Sequence, residues 1–158
     1  MLKRLVIGVG LALVVGLLAI QLVPYGRDHA NAPVVAEPAW DSPATRAYAV
    51  TACFDCHSNE STWPWYSNIA PISWLVQYDV DEGRRVLNYS EWGRGGEGDD
   101  SGETVSEGEM PPFVYLITHP DARFSEADKA AFIGGLSTTF GGEGGGGEGG
   151  GGEGGGGD

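Results

Sequence analysis

The chain has 158 residues, but its apolar start and its almost pure glycine end leave roughly Pro38 to Phe140 to fold, one domain's worth at about 100 residues. Formal charge is −13; Lys3 and Arg4 precede the apolar run and all 22 acidic residues follow it, so the remainder sets seven basic residues against 22 acidic ones, a net −15. That balance excludes nucleic acid as a partner, because phosphate binding needs basic patches, and two cysteines exclude a disulfide-rich scaffold or a four-cysteine zinc site.

Leu5 to Val23 has no charge and only Gln21 as a polar side chain, and its 19 residues suffice for a hydrocarbon core of about 30 Å. A retained membrane anchor over residues 1–23 is the expectation, and a cleaved secretory signal is the alternative. The one small-residue cleavage candidate, Ala30-Asn31-Ala32, is followed by Pro33, a poor residue for cleavage. With Lys3 and Arg4 held in the cytoplasm, either reading exports the domain to the periplasmic or extracytoplasmic side. Residues 24–41 contain three prolines and several alanines without a clear period, which predicts a flexible tether reaching roughly 20–25 Å.

Residues 42–140 form the expected domain. Ser42-Pro43 reads as an N-cap with proline at the first helical position, and the helix would carry Tyr48, Ala49 and Ala52 toward Cys53. Ile72 to Asp81 predicts a second helix ending near Gly83. Glycine and acids from Gly93 to Gly108 predict a surface loop, with a short helical turn near Val105. Ser125 and Asp128 form a capping-box-like pair that opens a last helix through Ala127, Ala130, Ala131 and Phe132. Residues 141–158 hold only glycine, glutamate and a terminal aspartate, so they predict a disordered, solvating tail.

The chemistry concentrates in Cys53-Phe54-Asp55-Cys56-His57. Two thiols at this spacing can each add to a haem vinyl group, and the histidine directly after the second is then held under the iron. A thioredoxin-like dithiol would want alternating strands and helices, and no strands are evident here. A zinc site of Cys53, Cys56, His57 and His119 lacks a normal second ligand pair. For the iron's other face, Met110 is the only methionine besides Met1, 53 residues beyond His57 and followed by Pro111 and Pro112. Those prolines stiffen the segment and aim sulfur at little entropic cost. Met110 as a core filler and His119 as the ligand remain the alternatives; His29, in the tether, is a poor one.

Beyond the haem box, the chain resembles the bacterial haem-binding domain family related to cytochrome c. The likeness runs from about Ala44 to Leu136, through Cys53-Phe54-Asp55-Cys56-His57-Ser58-Asn59-Glu60, Thr62-Trp63-Pro64-Trp65-Tyr66, Ile69-Ala70-Pro71-Ile72-Ser73-Trp74-Leu75, Asp79-Val80 and Glu82-Gly83-Arg84. It continues through Leu87-Asn88-Tyr89-Ser90-Glu91-Trp92, Gly108-Glu109-Met110-Pro111-Pro112 and His119-Pro120. The ordered series is far more specific than the haem box alone. It implies a mostly α-helical, cytochrome c-like fold, one covalent haem c on Cys53 and Cys56, and iron between His57 and Met110. The chain departs from the family at Gly93, where an acidic glycine loop replaces a longer, lysine-rich helical stretch.

Further roles are expected by analogy with cytochrome c. Pro71 could offer its carbonyl to the second nitrogen of His57, with an ordinary turn-former as the alternative; Trp63, Trp65, Tyr66 and Trp74 could wall the haem or simply pack the core; and Arg84 or Arg85 could neutralise a propionate, though a solvated surface arginine is the preferred reading of either. The leading expectation is a one-electron carrier confined to the membrane surface, not an enzyme, meeting redox proteins with basic docking surfaces. A haem-based sensor or gas and peroxide binder is the alternative, and a peroxidase a third; both need an open iron position.

Overall fold

A computed structural model describes residues 1–94 and 98–141. The expected disordered tail therefore lies outside the described residues, apart from Gly141. The protein is mostly helical, about 60% by residue, and the described residues contain no strand, only an isolated parallel bridge between Ala36 and Glu91. In chain order the helices are α1 (Leu2–Ile20), α2 (Pro43–Ala52), α3 (Phe54–His57), α4 (Ile72–Val86), α5 (Ser101–Glu107), α6 (Phe113–Thr118) and α7 (Glu126–Phe140). Short 3-10 turns lie at Trp65–Asn68 and Pro120–Ala122. They group into two compact units: Met1–Glu37 with Cys53–Gly96, and Pro38–Ala52 with Glu97–Asp158.

In the first unit, α1 is apolar all round and buries none of its residues, so by length and composition it could span a membrane, as a signal sequence also could. The expectation of a free tether fails for residues 24–37, which lie along this unit through side chains bonded to backbone. Asn31 Nδ2 donates to Ser61 O at 3.0 Å, and Asn59 Nδ2 donates to Pro33 O at 3.1 Å. The amides of Val35 and Ala36 donate to Ser90 O at 2.8 and 3.2 Å, and Trp92 N donates back to Ala36 O at 3.1 Å. Tyr25 Oη adds a bond to Asp81 Oδ2 at 3.4 Å. A segment without apolar period is held by satisfying backbone groups, which sequence periodicity does not reveal.

Helix α4 runs past Gly83, where the sequence suggested an end, to Val86. Gly83 sits where α4 crosses α3, and a Cβ there would strike Cys56 O and lie 2.9 Å from Cys56 Cβ. This close packing outweighs the roughly 1 kcal/mol that glycine costs a helix interior. The buried apolar set of this unit is small: Phe54, Ala70, Val80, Leu87 and Tyr89, with Phe54 and Tyr89 stacked at 5.7 Å.

The second unit has the fuller core. Ala49, Ala52, Val105, Ala122, Phe132, Leu136 and Phe140 are buried, and Tyr48, Phe124 and Phe132 form an aromatic cluster with centroids 5.0–5.9 Å apart. The caps read from sequence are present: Thr45 N donates to Ser42 Oγ at 3.2 Å, and Asp128 N donates to Ser125 Oγ at 3.1 Å. Asp128 also accepts from Tyr48 Oη at 2.7 Å, tying the start of α7 to α2. The acidic stretch read as a loop holds a full helix, α5, with Gly102 against α7 and Val105 buried. Ser125→Ala removes the α7 cap and should cost about 1 kcal/mol, read as a lower midpoint of chemical denaturation.

Candidate haem site

Cys53, Cys56 and His57 come together because a single helical turn presents residues three and four apart on one side. Cys53 is the N-cap of α3, and its carbonyl accepts from Cys56 N at 3.1 Å and His57 N at 2.8 Å. Both cysteines are free thiols and half-buried. Around this turn Asp55 Oδ1 accepts from Thr62 N at 2.8 Å, and Asp55 O accepts from Ser61 Oγ at 2.6 Å, folding the following loop back onto α3.

The His57 ring is oriented from α4's far end. Its Nδ1 lies 3.1 Å from Leu87 O. A carbonyl only accepts, so Nδ1 carries the proton and Nε2 keeps the lone pair that a metal would take. Burial lowers the His57 pKa below the usual histidine range, an effect opposed by the carbonyls of Leu87 and Gly83. The ring is thus kept neutral, as a ligand must be. Pro71 does not serve this role: its carbonyl accepts from Trp74 N and Leu75 N in the first turn of α4. A second backbone bond, Tyr89 N to His57 O at 2.8 Å, fixes the residue itself.

The two thiols are pushed up, to about 12 for Cys53 and about 11 for Cys56. Desolvation is the largest cause in both; the other thiol adds to it at Cys53, and Asp79 and Asp55 add to it at Cys56. A redox dithiol needs the opposite shift, toward a stable thiolate. The arrangement suits neutral sulfurs destined for thioether bonds. Nor does a metal cluster appear: no group of three histidine, cysteine or acidic side chains converges among the described residues.

The remaining residues read from sequence divide unevenly. Arg84 is committed to Ser58 O at 2.7 Å, Asn31 Oδ1 at 2.9 Å and Ser61 Oγ at 2.9 Å, and Arg85 pairs with Glu82 at 2.7 Å. Arg85 thus fits the solvated surface arginine that is the preferred reading of this pair, and Arg84 is tied to the loop after α3. Trp65 is 76% exposed, whereas Trp63 and Trp74 each have a buried indole nitrogen. Met110 belongs to the second unit, where its amide lies 3.3 Å from Thr104 O and its side chain is 38% exposed. Phe113, Val114 and Ile117 of the following helix α6 are also exposed. His119 stacks on Tyr115 at 3.8 Å, with Nδ1 3.0 Å from Tyr115 O.

The donor set therefore fits a covalent haem: two un-ionised thiols on one turn, an adjacent imidazole with the right tautomer, and a unit whose own apolar core is slight. These are the features of a helical haem-box protein. A family model described as Haem-binding domain matches residues 15–138, and the chain belongs to that family. No curated protein and no solved structure gives a match.

Two outcomes follow. Haem-free protein should resist iodoacetamide at pH 7–8, its alkylation rate climbing about tenfold per pH unit without a plateau below about pH 10, as mass spectrometry would show. Gly83→Ala should wedge α4 off α3 and reduce haem retention several-fold, measured as haem per polypeptide.

Proposed function

We propose that this haem-binding protein is an electron carrier of the c type, anchored in the cytoplasmic membrane by α1 with its haem on the extracytoplasmic side. The observation that carries the reading is the turn of α3, which sets two neutral thiols beside a histidine whose Nδ1 is already engaged by Leu87 O at 3.1 Å. Cys53 and Cys56 would hold the porphyrin by thioether bonds, and His57 would ligate the iron through Nε2.

Met110 is the proposed second axial ligand, favoured by its exposed side chain, by the prolines that follow it and by the lack of any other methionine but Met1. A haem held by histidine and methionine supplies one-electron exchange at a raised potential. The chain's own part would be to keep the imidazole oriented and neutral, to let α4 pack on Cys56 at Gly83, and to hold the group near the bilayer. The net charge of −13 favours redox partners with basic docking faces, with association that weakens as salt rises. No acid–base pair or activated nucleophile accompanies the haem box, which favours a carrier over an enzyme.

A pyridine haemochrome spectrum of protein matured in a host competent for c-type haem assembly should show one haem with saturated vinyl groups. The reduced protein should bind carbon monoxide slowly or not at all. Met110→Ala should open the site, giving fast carbon monoxide binding and a potential lower by an amount equivalent to about a hundredfold in the redox equilibrium. Fast binding in the unaltered protein would instead favour a sensor or ligand binder, and colourless protein would end the haem reading.

A further inference from the structure

Four buried polar atoms have no hydrogen-bond partner among the described residues: Arg27 Nε, Trp63 Nε1, Ser73 Oγ and Trp74 Nε1. All four belong to the first unit. Three of them can only donate, and the fourth is a hydroxyl on a residue with no exposed surface. A buried donor left without an acceptor is costly, so four such atoms in one small unit point to an acceptor that the polypeptide does not itself provide.

Close contacts join the segments that carry them. Gln21, just past α1, grips Ala70 from both sides, donating to Ala70 O at 2.8 Å and accepting from Ala70 N at 3.0 Å. Arg27 Nη2 donates to the same Gln21 Oε1 at 3.0 Å. Gly26, at φ +74°, lies so close to the first turn of α4 that a Cβ would strike Ser73 O and sit 3.2 Å from Trp74 N. His29 stacks on Trp63 with centroids 4.4 Å apart, and its Nε2 lies 3.3 Å from Gly26 O and 3.2 Å from Ser67 O. Residues 26–29 thus join the start of α4 to the Trp63 ring, and the unpartnered donors lie along that seam.

The distance from this seam to the cysteines is also informative. Helix α4 meets Cys56 at Gly83 and meets Gly26 at Ser73, ten residues and about 15 Å apart along its axis. A porphyrin spans a comparable length from its vinyl edge to its propionate edge. Arg84 and Arg85 bond elsewhere through Nε and Nη2, whereas the half-buried Arg27 has a buried Nε with no partner among the described residues. Guanidinium and indole N–H groups are the donors that carboxylates take best out of water.

We propose that Arg27, Trp63, Ser73 and Trp74 form the carboxylate end of the haem site and receive the two haem propionates. This rests on the haem reading above and adds the residues that would hold the group's opposite edge, including one from the stretch that directly follows α1. No bond is made or broken; the ionised propionates accept, and the four side chains donate.

The test uses full-length protein in detergent, matured with haem, as wild type, Trp74→Phe and Arg27→Gln. Haem per polypeptide is measured first by pyridine haemochrome; colourless wild-type protein would overturn the haem reading and this assignment with it. On haem-loaded protein, resonance Raman reads the propionate bending band, and the midpoint potential is followed from pH 5 to pH 9. The expected result is a displaced propionate band in both variants, with the inflection of the potential-against-pH curve moved up by about one pH unit or more, since the ionised propionate loses a donor. An unmoved band and superimposable curves at full haem content would overturn the proposal and assign the four donors to buried water. Trp74→Phe removes the N–H while keeping an aromatic, though smaller, side chain in place, so it decides the matter on haem-loaded protein if Arg27→Gln does not fold.

Discussion

The hydrogen bond from His57 Nδ1 to Leu87 O is the contact on which the rest of the site depends. It sets the tautomer, and with it the nitrogen left to bind a metal. It also ties the single turn of α3, too short to be stable by itself, to the residue that ends α4. That bond can form only because Gly83, one turn earlier, lets α4 lie directly on the backbone of Cys56. A side chain at either position that pushed the helices apart would misplace the ring before it disturbed either thiol.

The two units differ in what stabilises them. The second closes on aromatic rings and small residues, with Phe132 and Leu136 almost wholly buried. The first buries Ser58, Asn59, Ser61, Ser67, Ser73 and Ser90 beside only five apolar side chains. Most of these polar groups are satisfied by backbone, as with Ser58 Oγ to Phe54 O at 2.8 Å and Asn59 N to Ser90 Oγ at 2.9 Å. Such a unit would gain from a large apolar cofactor, whose buried surface would add to a small core.

The haem box and the helix caps were legible in the sequence because each is a local pattern: thiols and imidazole within five residues, or a hydroxyl three residues before its amide. Helices α2, α4 and α7 follow from such signals. The acceptor for His57 was not legible, because the choice between Pro71 and Leu87 depends on how α4 crosses α3. Helix α6, of six residues, and the extent of α5 left too little periodicity to read. The hold of residues 24–37 on this unit is not legible in the sequence, because it comes from Asn31, Tyr25 and backbone amides, which carry no repeating apolar signature.

The grip of Gln21 on Ala70 bears on how a water-soluble form of this protein could be prepared. Trimming the apolar leader up to Ile20 spares that clasp and everything after it. Trimming through the unremarkable-looking stretch to Glu37 would strip away Arg27, the ring lying over Trp63 and the backbone edge beside Ser90. What looks like disposable leash is one wall of the vessel.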